Sequence, residues 1–399
     1  MIRRFLVAVA LFAPRLAVAV SALAFVATSV AAAETPAFSK WFKYESDIDT
    51  EWDVAGVPDQ PMQVLIKRRN PQGPLKRVLV LYPRPSSAYD TAITEIFRVF
   101  AAKEINAEIE VLNFELKDAR GREALKNAEK NKVELIFAMG SESAAWLYTH
   151  YQNGAIQVVT VCSKDPVQLG QMKDYDSGSG TNFAFTSLNV PIDVQMAYVA
   201  ELRPELKNIA VLVDSKNVSA VQTQAKPIEL YAEQHGIQVI WGAVDNPNAA
   251  REELQKIIPA AVKRMRETDP DLSKSLFWIT GSTSVFREIR TINEYSDRVP
   301  VVSVVPEIVT KGNDTAVLAI GVSFESNARL AAIYGARILD GTKAGSLKVG
   351  LVSPPDVAIS FLKAREVGMR VPFSFFEIAS FIYDYEGRAV RIATSRTEN

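Results

Sequence analysis

From Arg77 onward the chain alternates short unbroken apolar runs with longer stretches whose apolar residues recur at every third or fourth position. Residues 78–82 read Val-Leu-Val-Leu-Tyr, the pattern of a strand covered on both faces in a parallel sheet. After a turn at 83–87, Ile93, Ile96, Phe97 and Phe100 share one face of a helix. Strands are expected at 108–114, 135–140 and 157–162, with a polar helix over 119–131. Gly178, Ser179 and Gly180 read as a flexible connection ahead of Asn182-Phe183-Ala184-Phe185.

A second series follows. It predicts a helix over 194–202, strands at 208–214 and 237–244, and a helix over 218–235 between those strands. The next helix carries the clearest stripe of the chain: Leu254, Ile257, Ile258, Ala261, Val262 and Met265, with Pro259 expected to kink it. Strands at 275–280, 299–305 and 316–324 complete the series, and a helix is expected over 327–339. Alternation of this kind predicts an α/β fold of two Rossmann-like lobes with parallel sheets and right-handed crossovers. The first lobe is expected over 77–190 and the second over 191–325, with 326–399 returning to the first lobe and ending in a tail. Residues 34–76 hold Trp41, Phe42, Tyr44 and Trp52 without clean periodicity and read as an N-terminal extension draped over the first lobe.

Residues 1–33 contain Arg3, Arg4 and Arg15, no acid, an apolar stretch from Leu16 to Val30, and Ala31-Ala32-Ala33 before Glu34. That is the layout of a cleaved signal peptide. A membrane anchor is the rival reading, but Pro14 and Arg15 interrupt the apolar run and no stop-transfer charges follow. No Cys near the cleavage site indicates a lipid anchor. The chain is therefore expected to be exported, periplasmic and free of the membrane.

Composition narrows the function classes. Removing the leader's three arginines moves the formal charge from -1 to about -4, which gives no electrostatic reason to bind nucleic acid or anionic lipid. The lone Cys162 excludes an intrachain disulfide and ends an apolar strand, where a small packed hydrophobe is the expected role. His150 and His235 lack a partner at metal-ligand spacing, and no nucleophile elbow, dinucleotide loop or Walker loop is present. No cofactor and no metal are expected, and nothing marks an enzyme.

In doubly wound sheets, ligands meet the loops beyond the carboxyl ends of strands. Gly140-Ser141 and Gly281-Ser282 stand at such ends in the two lobes, where free N–H groups and hydroxyls suit an anionic group, or where Ser simply caps a helix. Tyr82 and Tyr89 are candidates for stacking on a planar ligand, and Ser86 and Ser87 for donating to it; a capped turn with a surface Tyr is the alternative. Asp214, with Ser215, and Glu307 occupy equivalent ends in the second lobe and suit either a ligand amine or a helix N-terminus.

Lys164-Asp165-Pro166-Val167 followed by Gly170 resembles the Asp-Pro-Val-x-x-Gly segment of ABC transporter substrate-binding proteins related to tryptophan and tyrosine receptors. Leu202-Arg203-Pro204-Glu205-Leu206-Lys207-Asn208-Ile209 is similar to that family's helix end and first second-lobe strand. Tyr334-Gly335-Ala336-Arg337 and Arg365-Glu366-Val367-Gly368-Met369 resemble its closing segments. The resemblance implies a type I periplasmic binding fold whose lobes are joined by a hinge around a ligand cleft, with Ser163 joining the candidates above as a ligand contact. It further implies a small polar organic solute, amino acids among them, delivered to an ABC permease and its ATPase, with a monomer as the expected state. A ligand-sensing subunit of a membrane signalling protein is the alternative. The aromatic strand around Phe183 and Phe185 and the long termini depart from the family pattern.

Overall fold

The computed structural model describes residues 36–392; the expected leader lies outside the described residues. The chain enters its first sheet through a hairpin, β1 (Trp52–Val57) and β2 (Gln60–Arg68). There follow β3 (Lys76–Tyr82), α1 (Ser87–Ala102), β4 (Ala107–Asn113), α2 (Asp118–Lys130), β5 (Leu135–Met139), α3 (Gly140–Tyr151), β6 (Gln157–Val161) and β7 (Phe183–Ala184). The sheet order is β1-β2-β4-β3-β5-β6-β7; the hairpin runs antiparallel beside β4 and the other pairs are parallel. The unbroken run in β3 is explained by burial on both faces. Val78, Val80 and Tyr82 join Ile93, Ile96 and Phe97 of α1, while Leu79 and Leu81 join Leu125 of α2 and Leu147 of α3.

The segment before β3 is therefore part of the sheet and its core. Trp41 and Phe42 pack on Tyr82 with ring centroids 5.8 and 6.2 Å away, and the Trp41 indole N–H donates to the Pro61 carbonyl at 2.8 Å.

Strand β8 (Thr186–Ser187) then leads to α4 (Ile192–Leu202), β9 (Asn208–Asp214), α5 (Val218–Ala220), α6 (Lys226–Gln234), β10 (Gln238–Val244), α7 (Ala250–Met265) and β11 (Ser275–Ile279). The helix expected over 218–235 is broken by a π-turn at Val221–Ala225, a local widening often associated with functional sites. Helix α7 runs on through Pro259. After α8 (Thr283–Phe286) and α9 (Ile289–Tyr295) come β12 (Val301–Ser303), β13 (Leu318–Gly321) and α10 (Phe324–Leu339). The remaining elements are β14 (Gly350–Leu351), β15 (Asp356–Ser360), α11 (Phe361–Glu366), α12 (Ser374–Ile378), β16 (Phe381–Tyr383) and β17 (Ala389–Arg391).

The second sheet has the order β10-β9-β11-β12-β13-β15-β16-β17, with β9 to β13 parallel. Helix α10 packs on α1, β5 and β6. Strands β15 to β17 go the other way and extend the second sheet, β15 lying antiparallel to β13. The chain thus passes between the lobes three times: at β8, between β13 and α10, and at β14. Strands β8 and β14 pair in parallel, a small ribbon between the two sheets.

Candidate functional site

The carboxyl ends of β3, β5 and β6 in one lobe and of β9, β11 and β12 in the other lead into loops that approach one another, Lys164 of the first lobe reaching Gly281 of the second. In the first lobe, Gly140 opens α3 with φ +74°, and the Ser141 hydroxyl accepts from the Lys164 N–H at 2.9 Å and from the Ser163 hydroxyl at 3.4 Å. Ser141 and Ser163 are thereby brought together. Cys162 holds a left-handed conformation, φ +52°, and its N–H donates to Asn327 Oδ1 at 2.7 Å. That bond fixes the turn beyond β6 on which Ser163 and Lys164 stand. Ser86 is a buried N-cap without a side-chain cap bond, and Ser87 is exposed on the first turn of α1.

The tyrosines lie deeper than expected. Tyr82 is fully buried under the N-terminal segment and its hydroxyl donates to the Tyr89 carbonyl at 3.0 Å, so its ring has no face left for stacking. Tyr89 is also buried, its hydroxyl pressed against the Gly140 backbone, and burial raises its pKa. Both rings brace the loop that carries Ser141.

In the second lobe, Asp214 accepts from the Ser284 hydroxyl at 2.8 Å and from the Lys216 N–H at 2.9 Å, and its own N–H approaches the Ser282 hydroxyl at 3.4 Å. Ser215 points toward the sheet edge, donating to Asp245 at 2.7 Å. The Gly281 N–H donates to Gln224 Oε1 at 2.7 Å. Glu307 accepts from the Phe324 N–H and so holds the start of α10, the helix-end role.

Several groups the sequence reading left out face the same cleft. Glu142 pairs with Arg84 at 3.0 Å, and its carboxyl is raised by burial, with Asp214 across the cleft adding to the shift. Asp90 accepts from the Lys43 N–H at 3.2 Å; burial pushes its pKa up to about 6, against the pull of that bond, Lys43 and Arg287 of the opposite lobe. Asn189 Nδ2 donates to the Thr223 carbonyl at 2.7 Å, tying the crossing segment to the π-turn. Lys164 and Gln224 are buried. Apart from Lys164, which opens the Asp-Pro-Val segment, none of these carries a local sequence signal, because each is brought to the strand ends only through contacts made across the fold.

The protein packed around the Glu307 carboxyl pushes its pKa up to about 7, although the residue itself stays exposed to solvent. Its folded-state pKa lies above the ordinary value, so the folded protein is favoured while the group is protonated. That stability is lost as pH rises from the unfolded value through about 7. Glu307→Gln, which keeps the acceptor for Phe324, is expected to remove this decline. Urea midpoints at about pH 5 and about pH 7.5, near the two ends of that window, should differ less in the variant than in the parent, and equal differences would refute the assignment.

Among the described residues no group of three or more His, Cys, Asp or Glu is placed to hold a metal, and no helix is long and apolar enough to cross a membrane. A concavity of about 470 Å³ opens at the other end of the first sheet, lined by Arg77, Glu108, Glu110 and Lys132. It lies where parallel strands begin, the wrong end for the ligand site of a doubly wound sheet.

Two parallel-sheet lobes, three crossings and a cleft at the strand carboxyl ends define a type I periplasmic binding fold. The chain belongs to the ABC transporter substrate binding protein family, whose model matches residues 88–379. It is similar in fold to a conserved domain protein from Vibrio cholerae, at 18% identity and TM-score 0.62 over 77% of this chain and 99% of that one. An ABC domain in complex with L-Trp from Streptococcus pneumonia gives 18% identity and TM-score 0.61 over 77% of this chain and 100% of that one. A ligand-free, open substrate binding protein with adhesive properties from Clostridium difficile gives 18% and 0.56 over 74% and 96%. No curated protein matches the chain.

Proposed function

We propose that this protein is the exported solute receptor of an ABC importer. It takes one small polar organic solute, with amino acids the first class to test, into the cleft between the lobes. The closed form docks on a membrane permease coupled to its ATPase. The protein acts in the periplasm as a monomer, after removal of residues 1–33, and carries out no chemistry on its cargo.

The observation that supports this reading is that Ser141, Ser163 and Lys164 lie together at the strand ends of one lobe, and Lys164 Nζ reaches Gly281 at a strand end of the other. Contacts shared by two lobes favour closure, because only the closed state makes all of them at once. Family membership supports the transport role, and the L-Trp complex of a similar fold supports amino acids as the first class.

The test is a thermal-shift screen of the exported protein, stripped of carried-over ligand, against amino acids, nucleosides, sugars and small carboxylates. A ligand at about 100 times its dissociation constant adds roughly 2.7 kcal/mol, an easily visible shift. The same ligand should shrink the radius of gyration in X-ray scattering. An unchanged scattering profile at saturation would count against closure, and a flat screen against the receptor reading itself.

A further inference from the structure

Lys164 is 7% exposed and Gln224 5% exposed, and they come together beside Gly281. Among the described residues the Lys164 ammonium has no hydrogen-bond acceptor and no ion-pair partner, although its backbone N–H is tied to Ser141. Gln224 gives its amide oxygen to the Gly281 N–H, which fixes the orientation of the amide and turns Nε2, a donor without an acceptor, outward. The two groups come from opposite lobes and meet at Gly281. A first side-chain carbon on Gly281 would stand 2.2 Å from Lys164 Nζ and 3.4 Å from Gln224 Nε2.

Nearby acids are already engaged. Glu142 pairs with Arg84, Asp214 accepts from Ser284 and the Lys216 N–H, and Glu307 accepts from the Phe324 N–H. Lys164 is buried along its length while its ammonium, without a counter-ion, keeps an opening to solvent, and burial draws its pKa down to about 8. Two convergent donors lacking an acceptor, beside the N-terminus of the twelve-residue helix α3, have the chemistry of an anion seat.

We propose that Lys164 and Gln224 together seat an anionic oxygen group of the solute, a carboxylate or a phosphate, at the cleft floor by Gly281. This rests on the receptor reading and narrows it: uncharged sugars and nucleosides are not the cargo. It also gives the seat a part in closure, since the anion is clasped by one donor from each lobe.

The experiment compares matched pairs on the parent protein, Lys164→Met and Gly281→Ala. The pairs are carboxylic acids, amino acids included, with their primary amides, and phosphate monoesters with their parent alcohols. The parent is expected to be stabilised by one acid and not by its neutral counterpart, the carboxylate and phosphate arms telling which group is seated. Lys164→Met should weaken that binding at least tenfold, while its ligand-free melting temperature is equal to or above the parent's, because an unpaired buried charge has been removed. Gly281→Ala, which displaces the flexible end of Lys164, should weaken the same binding with little change in ligand-free melting. A neutral solute that binds the parent and Lys164→Met equally would overturn the anion seat and leave the receptor standing. So would a lower ligand-free melting temperature for Lys164→Met with binding intact. A panel in which nothing stabilises the parent would overturn both.

Discussion

Trp52→Ala is expected to cost about 3–5 kcal/mol of unfolding free energy, the range for truncating a fully buried tryptophan. Trp52 is 1% exposed in β1, its ring lies 5.3 Å from that of Phe97 on α1, and the Arg68 guanidinium covers it at 5.1 Å. Truncation leaves a cavity between the N-terminal hairpin and the first helix, and strand and helix cannot both collapse into it while β2 stays paired with β4. Trp52→Phe is the control. The indole N–H has no hydrogen-bond partner, so phenylalanine forfeits only volume and should cost a minor fraction of the alanine loss. Urea unfolding followed by circular dichroism measures both. A loss below about 1 kcal/mol for Trp52→Ala would mean that the hairpin is not part of the core.

Gly140→Ala is expected to destabilise by about 2–5 kcal/mol, from two causes that add. The backbone holds φ +74°, where an L side chain costs about 1–2 kcal/mol. The new methyl would also stand 2.0 Å from the Tyr89 hydroxyl and 2.7 Å from the ring carbon bearing it. That ring cannot swing away: Tyr82 lies against it at 5.4 Å, and Tyr82 is itself covered by Trp41 and Phe42. Overpacking of this kind costs about 1–3 kcal/mol. Adding Tyr89→Phe removes the nearest clash, so the double variant should recover part of the loss; strict additivity of the two changes would show that they do not touch. Since Gly140 leads directly to Ser141, any relaxation should also weaken solute binding.

The lobes were legible in the sequence because a parallel strand buried on both faces must be apolar throughout, and the helices covering it must be striped. Residues 78–82 and 208–214 declare themselves this way, and so does the stripe from Leu254 to Met265. The loops at the strand ends followed from the same reasoning, which brought Gly140, Ser141, Gly281, Ser282 and Asp214 into view. Local pattern does not encode which long-range partner covers a given face. Tyr82 reads as a strand-end aromatic free to stack, and it is buried because residues from 41 onward fold back over it. Strands β15 to β17 resemble a return to the first lobe until β13 supplies the antiparallel edge they pair with.

By itself, the sequence determined the α/β class, the two sets of parallel strands and the ends at which a site would form, since each of these follows from the period with which apolar residues recur. Tertiary structure alone decided that Glu307 holds a helix end, that Ser215 turns to the sheet edge, and that Lys164 and Gln224 meet at Gly281. Those outcomes depend on contacts between residues tens of positions apart in the chain. Burial there is a property of the assembled lobes, and no neighbouring residue announces it.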